Sequence, residues 1–387
     1  MNIAARMAQI APFHVMELMA RAQALEDQGR SIIHLEVGEP DFATASPILE
    51  AAQRFLSGGH VHYTAALGLR QLREAISDHY HRRYGLDVSP ARIVVTAGAS
   101  GALLLALGVL VNPGDEWLLP DPGYPCNRHF VRLLEGRPIS LPVEAASNYQ
   151  PTAAQLAASW TSRTRGLLVA SPANPTGTLL DFDTMAALVD GVATRGGSLL
   201  VDEIYHGLTY GVEAGSALAL SDDVFVINSF SKYFGMTGWR LGWLVAPQRY
   251  LREIEKLAQN LYIAPSTVAQ HAALAAFHPD TTSILEARRH EFSLRRDVLL
   301  PGLRQLGFEI AADPRGAFYL YADSNGLAAD SFSLAGQLLT EAGVAATPGL
   351  DFGSNAPQGH IRFAYTIDRN QIEEGLARMA AYLSSRS

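Results

Sequence analysis

A single lysine stands in the segment Asn228-Ser-Phe-Ser-Lys-Tyr-Phe-Gly-Met-Thr-Gly-Trp-Arg-Leu-Gly-Trp243. The apolar runs at 224–227 and 241–246 predict buried strands on either side of it. Lys232 therefore lies on a connection at the end of a strand, where α/β proteins commonly keep their sites. Lys232 can supply an amine, and Arg240 supplies a cation eight residues later. Together they suggest a site for an aldehyde that carries a phosphate. The alternative is a solvated loop lysine, which the Gly-Trp-Arg-Leu-Gly continuation disfavours.

Composition indicates an ordinary soluble globular protein. The chain has 387 residues, of which 48% are hydrophobic and 18% charged, enough for about two domains. Its net charge of −8, without a basic block, makes nucleic acid and anionic membranes poor partners. Cys126 is the only cysteine, so no internal disulfide can form, and no metal-ligand spacing surrounds it. Because the chain shows neither a signal peptide nor an apolar run long enough to span a bilayer, we expect a cytoplasmic protein without a metal.

Apolar strands alternate with helical segments between about residues 90 and 246. This alternation predicts an α/β domain. From residue 281 onward, a long helix, several strands and a closing helix predict an α+β unit, which we expect the N-terminal segment to join. The predicted organisation is an arm at 1–13, a small domain from 14–46 and 281–387, and a large cofactor-binding domain at 47–280.

Polar or charged residues stand at the ends of several predicted strands. The strand, small-residue turn and helix start at 98–100 would present free N–H groups to an anion, although a tight packing turn has the same pattern. Asp202 ends an apolar strand, where a buried carboxylate needs a partner; a helix cap or a magnesium ligand is the alternative. Prolines fix the turn around Asn174, and Tyr124 at a strand end can stack on a flat ring. Arg362, in an alternating strand, offers a planar fork for a carboxylate, unless it pairs with a surface acid.

The lysine segment resembles that of the class I/II aminotransferases, fold type I enzymes similar to aspartate aminotransferase that bind pyridoxal 5'-phosphate. Further motifs of this family occur in the family's order: Gly38-Glu-Pro-Asp-Phe42, Tyr63-Thr-Ala-Ala-Leu-Gly68 and Ser171-Pro-Ala-Asn-Pro-Thr-Gly177. The resemblance covers roughly residues 13–383. It implies a large domain with a mostly parallel seven-stranded sheet between helices, and a smaller α+β domain built from both chain ends.

The resemblance also implies a role for each matching residue. Lys232 is expected to form the Schiff base and act as the catalytic base, with Asp202 at the pyridinium nitrogen and Tyr205 at the phenolate oxygen. The substrate carboxylate is expected to meet Gly38, Asn174 and Arg362. A homodimer with shared active sites follows from Tyr63, which in the family reaches the cofactor phosphate of the other subunit. The remaining expected cofactor contacts are Gly98, Ala99, Ser100, Tyr124, Asn174, Ser229, Ser231 and Arg240.

These roles imply an aminotransferase that moves an amino group from an L-amino acid to a 2-oxo acid by a ping-pong mechanism. A family subgroup that acts on dicarboxylic substrates carries a lysine where this chain has Ser100, so neutral or aromatic amino acids are favoured. A carbon–sulfur β-lyase or a decarboxylase is the first alternative, because the same residues serve these reactions on the same fold. A non-enzymatic cofactor-binding sensor is the second; it needs a fused basic DNA-binding domain, whereas this chain is acidic.

Overall fold

A large central sheet carries most of the strands. The computed structural model describes residues 3–12 and 14–386. The strands are β1 (Ile33–His34), β2 (Ile93–Thr96), β3 (Glu116–Asp121), β4 (Arg137–Pro142), β5 (Thr164–Ala170), β6 (Ser198–Asp202), β7 (Phe225–Ser229), β8 (Gly242–Val245), β9 (Tyr319–Asp323), β10 (Val344–Ala345), β11 (Thr347–Pro348) and β12 (His360–Ala364). The helices are α1 (His14–Glu26), α2 (Ser46–Ser57), α3 (Arg70–Tyr84), α4 (Gly98–Leu110), α5 (Pro125–Leu133), α6 (Ala153–Ser159), α7 (Phe182–Ala193), α8 (Leu251–Leu261), α9 (Thr267–Leu274), α10 (Pro279–Gln305), α11 (Ser331–Gln337) and α12 (Arg369–Ser384).

The central sheet has seven strands in the order β2-β8-β7-β6-β5-β3-β4, and within it only β8 runs antiparallel to its neighbours. Successive residues of a strand point to opposite faces, so each buried strand contributes to two hydrophobic layers. Leu199 and Val201 of β6 pack in the same cluster as Leu188 of α7. Leu200 packs in the other cluster, with Leu103 of α4. The predicted mostly parallel seven-stranded sheet between helices is therefore confirmed.

Two smaller sheets combine segments from the beginning and the end of the chain. β1 pairs in parallel with β10, and β9, β12 and β11 form an antiparallel sheet in the order β11-β12-β9. We propose that these sheets belong to the small domain (14–46 and 281–387), beside the large domain (47–280). In the predicted arm at 1–13, positions 1, 2 and 13 lie outside the described residues; Ala5–Gln9 form a 3₁₀ helix.

The parallel strands of the central sheet end at one common edge. The segments after β3 and β5 carry Tyr124 and Asn174, Asp202 is the last residue of β6, and Lys232 follows β7. β2 runs in the same direction, so the start of α4 at Gly98 lies at this edge too. Residues that are far apart in sequence are therefore brought to one edge. Among residues 3–12 and 14–386, no helix combines the length and apolar character needed to span a bilayer.

Candidate active site

A cavity of about 380 Å³ opens at this edge of the sheet. It lies between the strand ends of the central sheet, helix α1 and strand β12, which carries Arg362. The structure brings most of the predicted site residues to its walls. Those that line the cavity are Gly38, Ala99, Ser100, Tyr124, Asn174, Asp202, Tyr205, Ser231, Lys232, Arg240 and Arg362.

The Lys232 amine lies in the cavity with a single hydrogen-bond partner among the described residues. Its Nζ donates to the carbonyl oxygen of Gly38 at 2.6 Å. Loss of hydration in the cavity lowers the pKa of Lys232 to about 8; Glu39 opposes the shift, and the charge of Arg362 adds to it. The lowered pKa of Lys232 raises the fraction of free amine near neutral pH, and the free amine is the form that a nucleophile or general base requires.

Asp202 is a buried carboxylate that the described residues satisfy only in part. Its Oδ1 accepts a hydrogen bond from the N–H of Ile204 at 3.1 Å, and no described side chain donates to it. Burial raises the pKa of Asp202 to about 7, although the Ile204 N–H and the charge of Lys232 lower it. A cationic N–H placed in the cavity beside Asp202 would stabilise its charged form.

Arg362 is a buried guanidinium without a carboxylate partner among the described residues. Its Nη1 donates to Oδ1 of Asn174 at 2.9 Å and its Nη2 to the carbonyl of Glu36 at 2.5 Å, whereas its Nε has no partner. The rings of Tyr319 and Phe352 flank the guanidinium, with centroids 4.4 and 4.8 Å from its Cζ.

A second buried arginine, Arg295, does have a carboxylate partner. Arg295 holds both oxygens of Asp41, at 2.8 and 3.0 Å. Buried charges in proteins are normally paired. The absence of a described carboxylate beside Arg362 therefore indicates a binding site for a ligand with a carboxylate.

The opposite end of the cavity is suited to an anion. Helix α4 begins there, and its N-cap residue, Ala97, offers no side-chain cap, which leaves the first N–H groups of the helix for a ligand. Arg240 lies close to this helix start: a Cβ atom on Gly98 would come within 2.9 Å of Nη2 of Arg240. Ser231 lines the same cavity. Backbone donors, a hydroxyl and a guanidinium thus converge on one place.

Three predicted contact residues, Gly98, Ser229 and Tyr63, are not among the residues that line the cavity of this chain. The Ser229 hydroxyl is buried, donates to the carbonyl of Leu241 at 3.0 Å and accepts from the N–H of Ser231 at 3.1 Å, so it supports Ser231. Tyr63 is 80% exposed and lies outside the cavity. Its role across a dimer interface stays a prediction.

The structure adds residues that the sequence patterns did not single out. The Tyr319 hydroxyl meets the Tyr205 hydroxyl at 2.9 Å, and a Cβ on Gly38 would overlap that same Tyr319 hydroxyl. Gly38 is therefore a glycine because Tyr319 occupies the space above it. Residues of α1 form an apolar wall of the cavity: Val15, Met16 and Met19. The helical spacing of α1 was visible in the sequence, but the direction of this face was not.

These features define an α/β enzyme site with an amine, a carboxylate and a guanidinium around one cavity. The sequence matches the family model of aminotransferase class I and II over residues 30–379. It is 36% identical to a valine–pyruvate aminotransferase of Mycobacterium tuberculosis over 381 residues, 98% of each chain. The chain belongs to the aminotransferase class I and II family.

Solved structures agree with this assignment. A crystal structure of an aminotransferase from Mycobacterium tuberculosis superposes with a TM-score of 0.96 at 36% identity, covering 100% of both chains. The aspartate aminotransferase of Thermus thermophilus with maleate superposes with a TM-score of 0.93 at 32% identity, covering 98% of this chain and 99% of that one. The predicted family, the fold and the transaminase class of enzyme are thus confirmed. Family membership implies the use of pyridoxal phosphate and of amino acid and 2-oxo acid substrates.

Proposed function

We propose that this aminotransferase binds pyridoxal 5'-phosphate in the cavity at the sheet edge and transfers an amino group from a neutral or aromatic L-amino acid to a 2-oxo acid. The observation that carries the proposal is that two basic groups share one cavity, and no described residue forms a salt bridge with either of them. The cavity presents the Lys232 amine, and Arg362, with its unpartnered Nε, is a guanidinium for which no described residue supplies a carboxylate.

The residues present fit this cofactor. The uncapped start of α4, Ser231 and Arg240 offer the donors that a phosphate needs, and the glycine at position 98 keeps a Cβ out of that space. At the other end, Asp202 has an oxygen free for a ring N–H. Tyr124 lines the cavity at the end of β3, where its ring can pack on a flat heterocycle. The phosphate would thus meet hydrogen-bond donors and a cation, and the ring N–H would meet a carboxylate.

When bound, the cofactor supplies an aldehyde for the lysine amine and an electron sink for the negative charge that develops at the substrate α-carbon. Lys232 is the proton carrier of this chain, because its Nζ is the titratable amine in the cavity and its pKa is lowered to about 8. The Gly38 carbonyl orients that amine through a 2.6 Å hydrogen bond. Asp202 stabilises positive charge beside it, and the Tyr205–Tyr319 hydroxyl pair provides donors on the adjoining wall.

Arg362 and its neighbours orient the substrate. The guanidinium is fixed by Asn174 and the Glu36 carbonyl, and it lines the cavity without a carboxylate partner among the described residues. Holding the carboxylate there limits the rotation of the α-carbon, which keeps the breaking bond in a productive direction. The same arginine serves the amino acid and the 2-oxo acid, because both carry this carboxylate.

The composition of the cavity wall supports neutral or aromatic side chains. Val15, Met16 and Met19 of α1 line it, together with Leu103. The cations among its described lining residues are Lys232, Arg240 and Arg362, which already have roles with the cofactor and the α-carboxylate. Glu39 also lines the cavity and would repel a second substrate carboxylate.

Exposure of Tyr63 supports the proposed homodimer with shared sites. The tyrosine is 80% exposed although it is a large amphipathic side chain, and Val61 and Ile263 nearby are exposed by 46% and 54%. The His62 carbonyl accepts a hydrogen bond from Thr267, which ties the two segments together. An exposed patch of this kind suits a second copy of the chain.

Substitution of Lys232 by alanine tests the proposal. The wild type should convert neutral amino acids, assayed with pyruvate, 2-oxoglutarate or glyoxylate, into the matching 2-oxo acids. Lys232→Ala should lose this activity, and borohydride reduction should no longer fix the cofactor to the chain, as read by mass spectrometry. Cofactor fixed to the Lys232→Ala chain would contradict the assignment. Release of pyruvate, ammonia and sulfide from cysteine, assayed without an added 2-oxo acid, would favour the β-lyase.

A further inference from the structure

Helix α1 receives its N-terminal cap from a residue near the other end of the chain. The N–H groups of His14 and Val15 donate to Oδ1 and Oδ2 of Asp351, at 3.1 and 3.3 Å. Asp351 is 1% exposed, so its carboxylate is buried against the helix start. The first N–H groups of a helix have no partner within the helix, and a carboxylate there also complements the positive end of the helix dipole.

The two ends of α1 are held in different ways. Ala22, in its second half, is fully buried in an apolar cluster with Ile32, Leu339 and Ala345. In the first half Val15 is buried, whereas Met16 is 56% exposed. Val15 and the Asp351 carboxylate together hold the first turn, so loss of the cap can displace that turn while the buried Ala22 keeps the second half of the helix in place.

The capped turn is the part of α1 that faces the catalytic cavity. Val15, Met16 and Met19 all line it. Their positions set how much room an apolar substrate side chain has and how closely it is packed.

Asp351 also belongs to a segment that contacts the substrate arginine. Its carbonyl accepts from Nη2 of Arg128 at 2.8 Å, and the next residue, Phe352, packs on the Arg362 guanidinium. Three residues on, the N–H of Ser354 binds the Asp121 carboxylate at 2.9 Å, which fixes the segment to the end of β3. The segment 351–354 thus places the α1 wall relative to the site for the substrate carboxylate.

We propose that Asp351 is a specificity-positioning residue: by capping α1 it holds the apolar wall against the substrate side chain. This inference rests on the proposed function of the same cavity. It predicts that Asp351 matters for ligands that reach the wall and not for those too short to touch it.

The test uses the holoenzyme and two carboxylic acids that lack an amino group, 4-methylpentanoate and propanoate, whose dissociation constants are read from the cofactor spectrum or by calorimetry. In Asp351→Ala the dissociation constant of 4-methylpentanoate should rise about tenfold, the size of effect that loss of a helix cap produces, and that of propanoate should stay within about twofold. Asp351→Asn keeps one acceptor oxygen, so its effect should be smaller and in the same direction.

Asp181→Ala is the matched control. Asp181 caps α7 by accepting from the N–H of Thr184 at 2.7 Å, and no described residue of α7 lines the cavity. Its loss should leave the ratio of the two dissociation constants unchanged.

Equal weakening of both acids in Asp351→Ala, or no weakening of either, would overturn the positioning role. Failure of the wild type to transaminate leucine or alanine would instead count against the proposed function, because the binding ratio is measured without turnover.

Discussion

Arg362 and Arg295 are both buried, and their different partners separate a binding role from a structural one. Arg295 is 2% exposed and holds the Asp41 carboxylate with two hydrogen bonds. Arg362 is 3% exposed and is supported by neutral oxygens, and no described residue is a partner of its Nε. Leaving a charged group unsatisfied in the interior costs free energy, and a substrate carboxylate recovers it on binding.

Arg362→Ala should therefore weaken both substrates of the reaction. Loss of a charge-assisted pair of hydrogen bonds of up to about 3 kcal/mol raises the KM of the amino acid and of the 2-oxo acid by about 100-fold. Steady-state kinetics with each substrate varied in turn measures this. Arg295→Ala should lower the melting temperature and leave both KM values near those of the wild type; unaltered KM values in Arg362→Ala would show that another group binds the carboxylate.

At the scale of elements, the start of α4 and the turn before β8 together build the anion end of the cavity. Gly98 has φ +71°, a conformation that residues with a side chain rarely adopt. Arg240, in the turn, has φ +53°, and its side chain reaches the helix start. A residue other than glycine in the left-handed region is uncommon and indicates that its surroundings hold it there.

Gly98→Ala should reduce the affinity for the cofactor, because the new Cβ would meet the Arg240 guanidinium at 2.9 Å and displace it. We expect the dissociation constant of pyridoxal phosphate to rise about tenfold or more, since one charged donor to the phosphate is misplaced. Titration of the apoenzyme with the cofactor measures the change.

Gly85→Ala separates this effect from backbone strain. Gly85 has φ +68° at the end of α3, and a Cβ there would have no neighbour within 4 Å in the described part of the chain. It should lose about 1–2 kcal/mol of folding stability and bind the cofactor normally. Equal loss of affinity in both variants would assign the effect to the backbone and not to Arg240.

At the scale of the whole molecule, the proposed dimer predicts complementation between two inactive variants. Tyr63→Glu would place a carboxylate beside the phosphate of the neighbouring site, and Lys232→Ala removes the amine from its own site. A mixed dimer then contains one intact site, because the lysine and the tyrosine of that site come from different chains.

Co-expression of the two variants should restore activity to about a quarter of the wild-type level, since random pairing makes half of the dimers mixed and each of these has one intact site of two. Light scattering should give twice the 41.7 kDa of the chain. A mixture no more active than the separate variants would show that Tyr63 does not act across the interface.

The sequence by itself predicted the α/β alternation, the seven-stranded sheet implied by the family, and the placement of Lys232, Asp202, Asn174 and Tyr124 at strand ends. These are local properties: hydrophobic periodicity predicts a strand, and parallel strands bring their carboxyl ends to one edge.

Only the tertiary structure decided which distant groups meet. The partners Arg362 and Asn174 are 188 residues apart, and Asp351 caps a helix 337 residues before it. Periodicity records that a side chain is buried, whereas its partner depends on how separate sheets and helices pack. For that reason Tyr319 above Gly38, the apolar face of α1 and the unpaired Nε of Arg362 emerged only from the folded chain.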